Sequence, residues 1–226
     1  MKSVAVIVAG GTGTRMGGDM PKQFLALLGR PVLVHAVEVF VTAVPGVEVV
    51  VVLPKSHLEA GGDLLARHLP EVGVMLVEGG ETRFHSVRNG LSLVREPSVV
   101  FVHDAARCLV TADLIRRCRA SALARGSAVP VVPVRDSMRM VDGGGHSVVD
   151  RTRLRAVQTP QTFRSEILLP AFGQPYRPSF TDEATVVEAY GQAVELLEGE
   201  EDNIKVTYPV DLVVAAQVLA SRVSES

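Results

Sequence analysis

Five short apolar runs, residues 4–9, 47–53, 74–77, 99–102 and 128–134, recur along the chain with helix-patterned segments between them. This alternation constrains the fold more than any other feature. Valine-rich runs of such length read as strands buried on both faces. Strands alternating with helices require right-handed crossovers, and hence a Rossmann-like α/β fold: a mostly parallel sheet with helices on both faces. The runs fall far short of the ~18 residues of a spanning helix. No membrane segment is therefore expected, even at a mean hydropathy of +0.26. The first run is also too short for a secretory signal, and a cytoplasmic protein is expected. With 226 residues, 47% of them apolar, disorder is ruled out, and folding should bury roughly 70% of the chain's surface.

The intervening segments carry helix punctuation. Pro31 stands where a first-turn proline would, followed by a stripe of Leu33, Ala36, Val37, Phe40 and Val41. Ser56 and Glu59 have capping-box spacing ahead of Leu64 and Leu65, and Thr111 can cap a helix carrying Leu114, Ile115 and Cys118. Further helices are expected near 165–172, 182–191 and 209–220. The rhythm breaks at 135–150, where two short alternating segments flank residues 142–145, a hairpin signal. A hairpin this polar adds little core. It projects as an arm or decorates the surface, and the pattern leaves both open. With no repeat and no dividing linker, residues 1–226 are expected to form one domain with an arm at about 135–157.

After the first run comes Ala9-Gly10-Gly11-Thr12-Gly13-Thr14-Arg15-Met16-Gly17-Gly18, then Pro21-Lys22-Gln23. Glycines let backbone N–H groups converge on a phosphate oxyanion. A Walker A loop is excluded because Gly18 is followed by Asp19. A dinucleotide fingerprint is disfavoured twice, by Met16 where a third glycine belongs and by Leu53-Pro54 where an acidic ribose ligand belongs. Arg15 and Lys22, on and just beyond the glycines, suit polyphosphate chemistry. A net charge of −2, with seven Phe, three Tyr and no Trp, argues against nucleic-acid binding. Cys108 and Cys118 provide neither a disulfide framework nor a metal-ligand pair.

Gly-Gly-Thr-Gly-Thr-Arg-Met with Pro-Lys-Gln-Phe resembles the signature loop of the sugar- and polyol-phosphate nucleotidylyltransferases, and within them the cytidylyltransferases. Five further segments match the methylerythritol-phosphate cytidylyltransferases in order. These are Gly79–Val87, His-Asp-Ala-Ala-Arg at 103–107, the arm, Gln158–Phe163, and Thr181–Ala184 together with Asp-Asn-Ile-Lys-Val-Thr at 202–207. The chain departs from the family at Cys108, where proline is usual, and at Ser137, where threonine is commoner; Ser137 keeps the hydroxyl.

The resemblance implies a CTP- and Mg²⁺-dependent cytidylyl transfer to methylerythritol phosphate. Arg15 and Lys22 are the implied catalytic residues. Ala9, Gly10, Gly11, Thr12, Gly13, Gly80, Glu81, Ser86, Asp104 and Ala105 would bind CTP, and Arg107, Ser137, Arg151, Thr181 and Lys205 the substrate phosphate. It also implies a homodimer in which the arm brings Ser137 and Arg151 to the neighbouring subunit's site. Magnesium would be held mainly by the triphosphate, with no protein ligand named. Read from the residues alone, several of these positions have plainer roles. Thr82 is a helix cap, Asp104 and Arg107 are a local ion pair, and Asp182 with Glu183 is a helix N-terminal charge pattern. The attacking group would be a phosphate monoester, dianionic near neutral pH because its second pKa is ~6, so no general base is needed. The rivals are a ribitol-5-phosphate cytidylyltransferase and, more remotely, a catalytically silent nucleotide-binding domain or a dehydrogenase.

Overall fold

The computed structural model describes residues 1–10 and 21–224. In chain order the strands are β1 (Lys2–Val8), β2 (Ala26–Leu27), β3 (Arg30–Pro31), β4 (Glu48–Leu53), β5 (Val74–Glu78), β6 (Ser98–Asp104), β7 (Ser127–Pro133), β8 (Met138–Asp142), β9 (Gly145–Val149), β10 (Arg155–Val157), β11 (Gln161–Arg164) and β12 (Leu196–Glu198). The helices are α1 (Val32–Ala43), α2 (Leu58–His68), α3 (Arg83–Leu91), α4 (Ala112–Arg125), α5 (Ser165–Phe172), α6 (Glu183–Ala189) and α7 (Pro209–Ser224).

The valine-rich strands form the middle of an eight-stranded sheet in the order β10-β7-β11-β6-β1-β4-β5, with β12 beside β7. Side chains alternate across it with the two-residue strand period. Ala5, Ile7, Val49, Val51, Val99 and Phe101 face one layer, where α1, α2 and α4 supply Leu33, Phe40, Leu65, Leu114 and Ile115. Val4, Val6, Val50, Val52, Val100 and Val102 face the other, where α3, α5 and α6 supply Phe84, Val87, Leu168, Phe172 and Val187. Each buried aliphatic side chain contributes about 1.5–3 kcal/mol relative to exposure, which makes these two faces the main driving force. A smaller cluster of Leu27, Val32, Leu109, Val206 and Ala215 seats α7. Gly90 lets α3 lie close to the sheet, since a Cβ there would come within 2.6 Å of Val6 and 2.9 Å of Val52.

β5, β4, β1 and β6 run parallel, as expected. β11 inserts antiparallel between β6 and β7, and β10 closes the far side antiparallel to β7. From β1 the chain continues to β4 on one side and later returns to β6 on the other. The β1/β6 boundary is therefore the topological switch point, outside whose carboxyl ends open sheets bind ligands.

Local corrections follow from the same geometry. β5 lies at the edge, so its residues are half-buried or exposed instead of buried on both faces. The Ser56/Glu59 capping box does not form. A 3-10 turn over Lys55–His57 follows Pro54, so the helix begins at Leu58 with His57 at its N-cap and no side-chain cap. Pro31 is the N-cap residue of α1 and not in its first turn. Thr82 and Thr111 cap α3 and α4 as expected, accepting from the amides of His85 and Leu114. The 135–150 segment is a separate two-stranded hairpin, β8–β9, almost wholly exposed and paired from Met138 with Val149 to Asp142 with Gly145. No helix among the described residues is long and apolar enough to cross a membrane.

Candidate active site

The carboxyl ends of β1 and β6, the turn after β5 and the 203–207 segment meet at the switch point around a pocket of about 300 Å³. Its walls include Ala9, Gly10, Lys22, Gln23, Gly80, Glu81, Arg83, Ser86, Asp104, Ala105 and Lys205. Hydrogen bonds hold the walls in register. The Ala9 amide donates to the Val52 carbonyl, and the Ala105 amide to the Val8 carbonyl. Buried Gln23 donates to the Ala9 carbonyl at 2.8 Å, and Lys22 Nζ donates to the Val206 carbonyl at 2.8 Å. The Val206 amide in turn donates to the Ala106 carbonyl. Two segments nearly 200 residues apart in sequence are thereby joined across the pocket mouth.

Gly80 closes the β5–α3 turn. Its amide donates to Ser86 Oγ at 3.1 Å, and a Cβ at this position would sit 2.4 Å from His85 Cβ. Ser86 is therefore satisfied within the turn, which it shapes. Across the pocket lies a charge cluster. Asp104, at the end of β6, accepts from Arg83 Nε at 3.1 Å through Oδ1 and from Lys205 Nζ at 2.6 Å through Oδ2. Arg83 also grips Glu183 in a two-pronged pair, Nη1 to Oε1 at 2.5 Å and Nη2 to Oε2 at 3.1 Å. Burial alone would raise the Asp104 carboxyl, but Arg83 and then Lys205 hold it well below the usual carboxylate range. Burial likewise works against the Arg83 charge, and Glu183 and Asp104 more than offset it, so the guanidinium stays protonated.

Behind the cluster, His103 is fully buried and kept neutral, its pKa pushed down to about 4 chiefly by burial. Its Nδ1 lies 3.0 Å from Thr159 Oγ1, which also accepts from the Asp104 amide at 3.1 Å. Its Nε2 lies 3.1 Å from the Arg107 carbonyl, so the tautomer that satisfies both contacts carries the proton on Nε2. The Gln158–Phe163 segment is structural, as expected. Gln158 donates to the Glu200 carbonyl at 2.7 Å, and Asn203 donates to the Thr159 carbonyl at 2.9 Å.

Among the expected site residues, Ala9, Gly10, Lys22, Gly80, Glu81, Ser86, Asp104, Ala105 and Lys205 come together at the pocket. Gly11, Thr12, Gly13 and Arg15 lie outside the described residues. Arg107 does not line the pocket; its guanidinium donates to the carbonyls of Asn203, at 2.7 Å, and Val157, at 3.2 Å. The plain Asp104–Arg107 ion pair is likewise replaced, because the Asp104 oxygens go to Arg83 and Lys205. Ser137, Arg151 and Thr181 are exposed and do not line the pocket either. Asp182 stands at the N-terminus of α6, as expected, and its side chain caps the helix in a reciprocal capping box with Thr185. Glu183 lies in the first turn of α6, as expected of an acid at a helix N-terminus, and there it is fully buried against Arg83.

Family comparison decides between the alternatives. The family model of IspD, 2-C-methyl-D-erythritol 4-phosphate cytidylyltransferase, matches residues 3–221. The chain belongs to this family. It is 45% identical to the Bacteroides thetaiotaomicron protein of that name over 97% of this chain and 100% of the relative. It is also 45% identical to the Porphyromonas gingivalis one, over 97% of this chain and 99% of the relative. The crystal structure of the Thermus thermophilus enzyme superposes with a TM-score of 0.76 at 34% identity, covering 95% of this chain and 98% of that one. Membership makes the chain a cytidylyltransferase and sets aside the silent-domain and dehydrogenase readings. Arg83, which lines the pocket, and Glu183, buried behind it, form the part of the charge cluster that sequence reasoning did not assign to the site. Arg83 was visible inside the Gly-Gly-x-x-Arg pattern, but its partner lies 100 residues away, beyond any local spacing rule.

Among the described residues, no group of three or more His, Cys, Asp or Glu side chains is assembled to hold a metal. Both oxygens of the one carboxylate at the back of the pocket, Asp104, are engaged by cations. These residues do not form a resident metal site. Magnesium keeps several waters and binds readily through phosphates, so it would need no resident protein cage if it arrived with a phosphate-bearing substrate.

Proposed function

We propose that this pocket binds Mg²⁺-complexed CTP and that the chain transfers CMP from it to 2-C-methyl-D-erythritol 4-phosphate. An oxygen of the substrate phosphate dianion attacks the α-phosphorus, the bond to the β-phosphate bridging oxygen breaks, and pyrophosphate leaves with that electron pair. The product is 4-diphosphocytidyl-2-C-methyl-D-erythritol. No proton need be removed from the attacking oxygen, so the work of the site is positioning and charge stabilisation. The observation that carries this reading is the convergence of Gly10, Gly80, Lys22, Asp104 and Lys205 on one pocket at the switch point.

In this reading the turn at Gly80, Glu81 and Ser86 takes the cytosine, and Asp104 takes the ribose hydroxyls. Gly10 to Gly13, with Arg15 and Lys22, surround the triphosphate and stabilise charge as pyrophosphate departs. Lys205 leaves Asp104 for the incoming phosphate. Arg107 braces the loop beneath it. Ser137 and Arg151 reach the second phosphate of a neighbouring subunit, making the enzyme a homodimer through the β8–β9 arm; Thr181 lies beside the helix that carries Glu183. The exposure of the arm, and its place outside the walls of its own pocket, support this arrangement. We read residues 1–226 as one catalytic unit with an arm, working in the cytoplasm. Pyrophosphate release with each nucleoside triphosphate, crossed with methylerythritol phosphate and ribitol phosphate, tests the reading. Turnover is expected with CTP and methylerythritol phosphate; equal or better turnover with ribitol phosphate would overturn it.

A further inference from the structure

Glu183 is a carboxylate with 0% exposure in the first turn of α6, a helix whose side-chain cap is the neighbouring Asp182. Burying a carboxylate is costly, and a buried pair is commonly no better for stability than well-packed apolar groups. Its place in the fold is better explained by what it does to Arg83. The guanidinium presents Nη1 and Nη2 to Glu183 and turns Nε and Nη2 toward Asp104 Oδ1. With its plane fixed from behind, Arg83 holds one Asp104 oxygen while the other holds Lys205. The cluster then carries two positive and two negative charges, and the cation nearest the base turn is tied down. Paired with Glu183, Arg83 lies on the pocket wall with 27% of its side chain exposed; released from that pair, it would be free to turn into the pocket. Such a cation would fold onto a bound triphosphate and leave Asp104 free to rotate.

We infer that Glu183 is a positioning residue of the CTP site, acting through Arg83 to fix the Asp104 carboxylate and keep the Arg83 cation off the triphosphate. The inference rests on the assignment of this pocket to CTP, and turnover of the unmodified enzyme with CTP tests that assignment separately. Glu183→Gln keeps the shape but removes the charge. It is expected to raise KM for CTP about tenfold, as loss of a charge-assisted contact would, with kcat changed less than about threefold. The double variant Arg83→Met with Glu183→Leu removes both charges and fills the space with apolar groups. It is expected to keep the parental Tm and still show the raised KM for CTP, a split that a merely structural role would not produce. Either variant folded at the parental Tm with the parental KM for CTP would overturn the inference.

Discussion

Around the pocket, Arg83, Asp104, Glu183 and Lys205 satisfy one another within a single chain. On the arm, by contrast, Met140, Val141 and Val148 remain 53%, 78% and 76% exposed, and neither face of the hairpin joins the main sheet. The pocket is preorganised by contacts that bridge up to 184 residues of sequence, such as Lys22 to Val206. Among the described residues, the hydrogen bonds and ion pairs of the arm are its own ladder and contacts near its base, including Arg151 to the Arg135 carbonyl and Arg135 to Glu201. A two-stranded ribbon with an apolar surface is marginal by itself in water, and exposed apolar patches commonly mark interaction sites. Among the described residues, the charges of the pocket find their partners within the chain, whereas the arm leaves apolar side chains exposed.

Removing the cations proposed to surround the triphosphate should have the largest effect. Arg15→Ala or Lys22→Ala is expected to lower kcat roughly 10²–10⁴-fold, the range for groups that act on developing charge. Tm should change little, because Lys22 is only part-buried and lies on the pocket rim. Steady-state kinetics beside thermal melts check this, and near-parental turnover in either variant would remove that residue's transition-state role.

The arm is probed next. Arg151→Ala should raise KM for the polyol phosphate roughly 10–100-fold, from loss of a charged contact, while KM for CTP holds steady. Mixing this variant with Lys22→Ala should recover activity that neither has alone. In a mixed dimer of the proposed kind, an intact pocket on one subunit would receive an intact arm from the other. Absence of recovery in a sample shown to contain mixed dimers would place Arg151 in its own subunit's site. A smaller effect is expected in the base turn. Gly80→Ala forces a methyl group against His85 Cβ, 2.4 Å away, and should raise KM for CTP several-fold with KM for the second substrate unchanged.

What the sequence revealed of these two regions differs in kind. The five apolar runs placed β1, β4, β5, β6 and β7 to within a residue or two, the inner ones because burial on both faces demands uninterrupted β-branched residues and β5, at the edge, despite its partial exposure. The hairpin turn was readable from residues 142–145, where Gly144 takes a φ of 150° that side-chain-bearing residues rarely adopt. The glycine loop at Gly10, the cation Lys22 and the strand-end Asp104 were legible from the residues, whereas Gly80, Glu81, Ser86, Ala105 and Lys205 came from the family resemblance. Arg83 with Glu183 was not readable, because a pair 100 residues apart follows no periodicity and Glu183 looks like any acidic residue in a first helical turn. Arg107 shows the reverse error of local reasoning. It stands near Asp104 in sequence, yet the backbone carbonyls of Asn203 and Val157 capture its guanidinium first. Likewise, a capping-box spacing at Ser56 and Glu59 does not say where the helix starts, and Pro54 with a 3-10 turn set that start downstream.

The mildest test concerns what stands behind the pocket and has no counterpart in the arm. His103 is buried between Phe40, whose ring lies 5.1 Å away at 62°, and the Thr159 hydroxyl. Burial is the main reason its pKa falls to about 4; Arg107 and Arg83 push it the same way, and Asp104 opposes them. A histidine lowered in the folded state from its unfolded value near 6.5 stabilises the fold fully above that value. This contribution, on the order of 3 kcal/mol, is lost as pH falls from about 6.5 toward 4, where the unfolded chain binds the proton first. Asp104, held low by Arg83 and Lys205, adds its own loss only below about pH 4, where unfolded aspartates begin to protonate. The two groups therefore act in separate windows. Denaturant melts from about pH 7 to about pH 4.5 should show the parent losing stability with a slope approaching one proton. His103→Gln, which offers Thr159 an acceptor and the Arg107 carbonyl a donor, should show a flatter profile across that window. An unchanged slope in this variant would assign the acid sensitivity to other groups, because His103 would then be charged and solvated in the fold and not buried as a neutral hinge between Thr159 and Arg107.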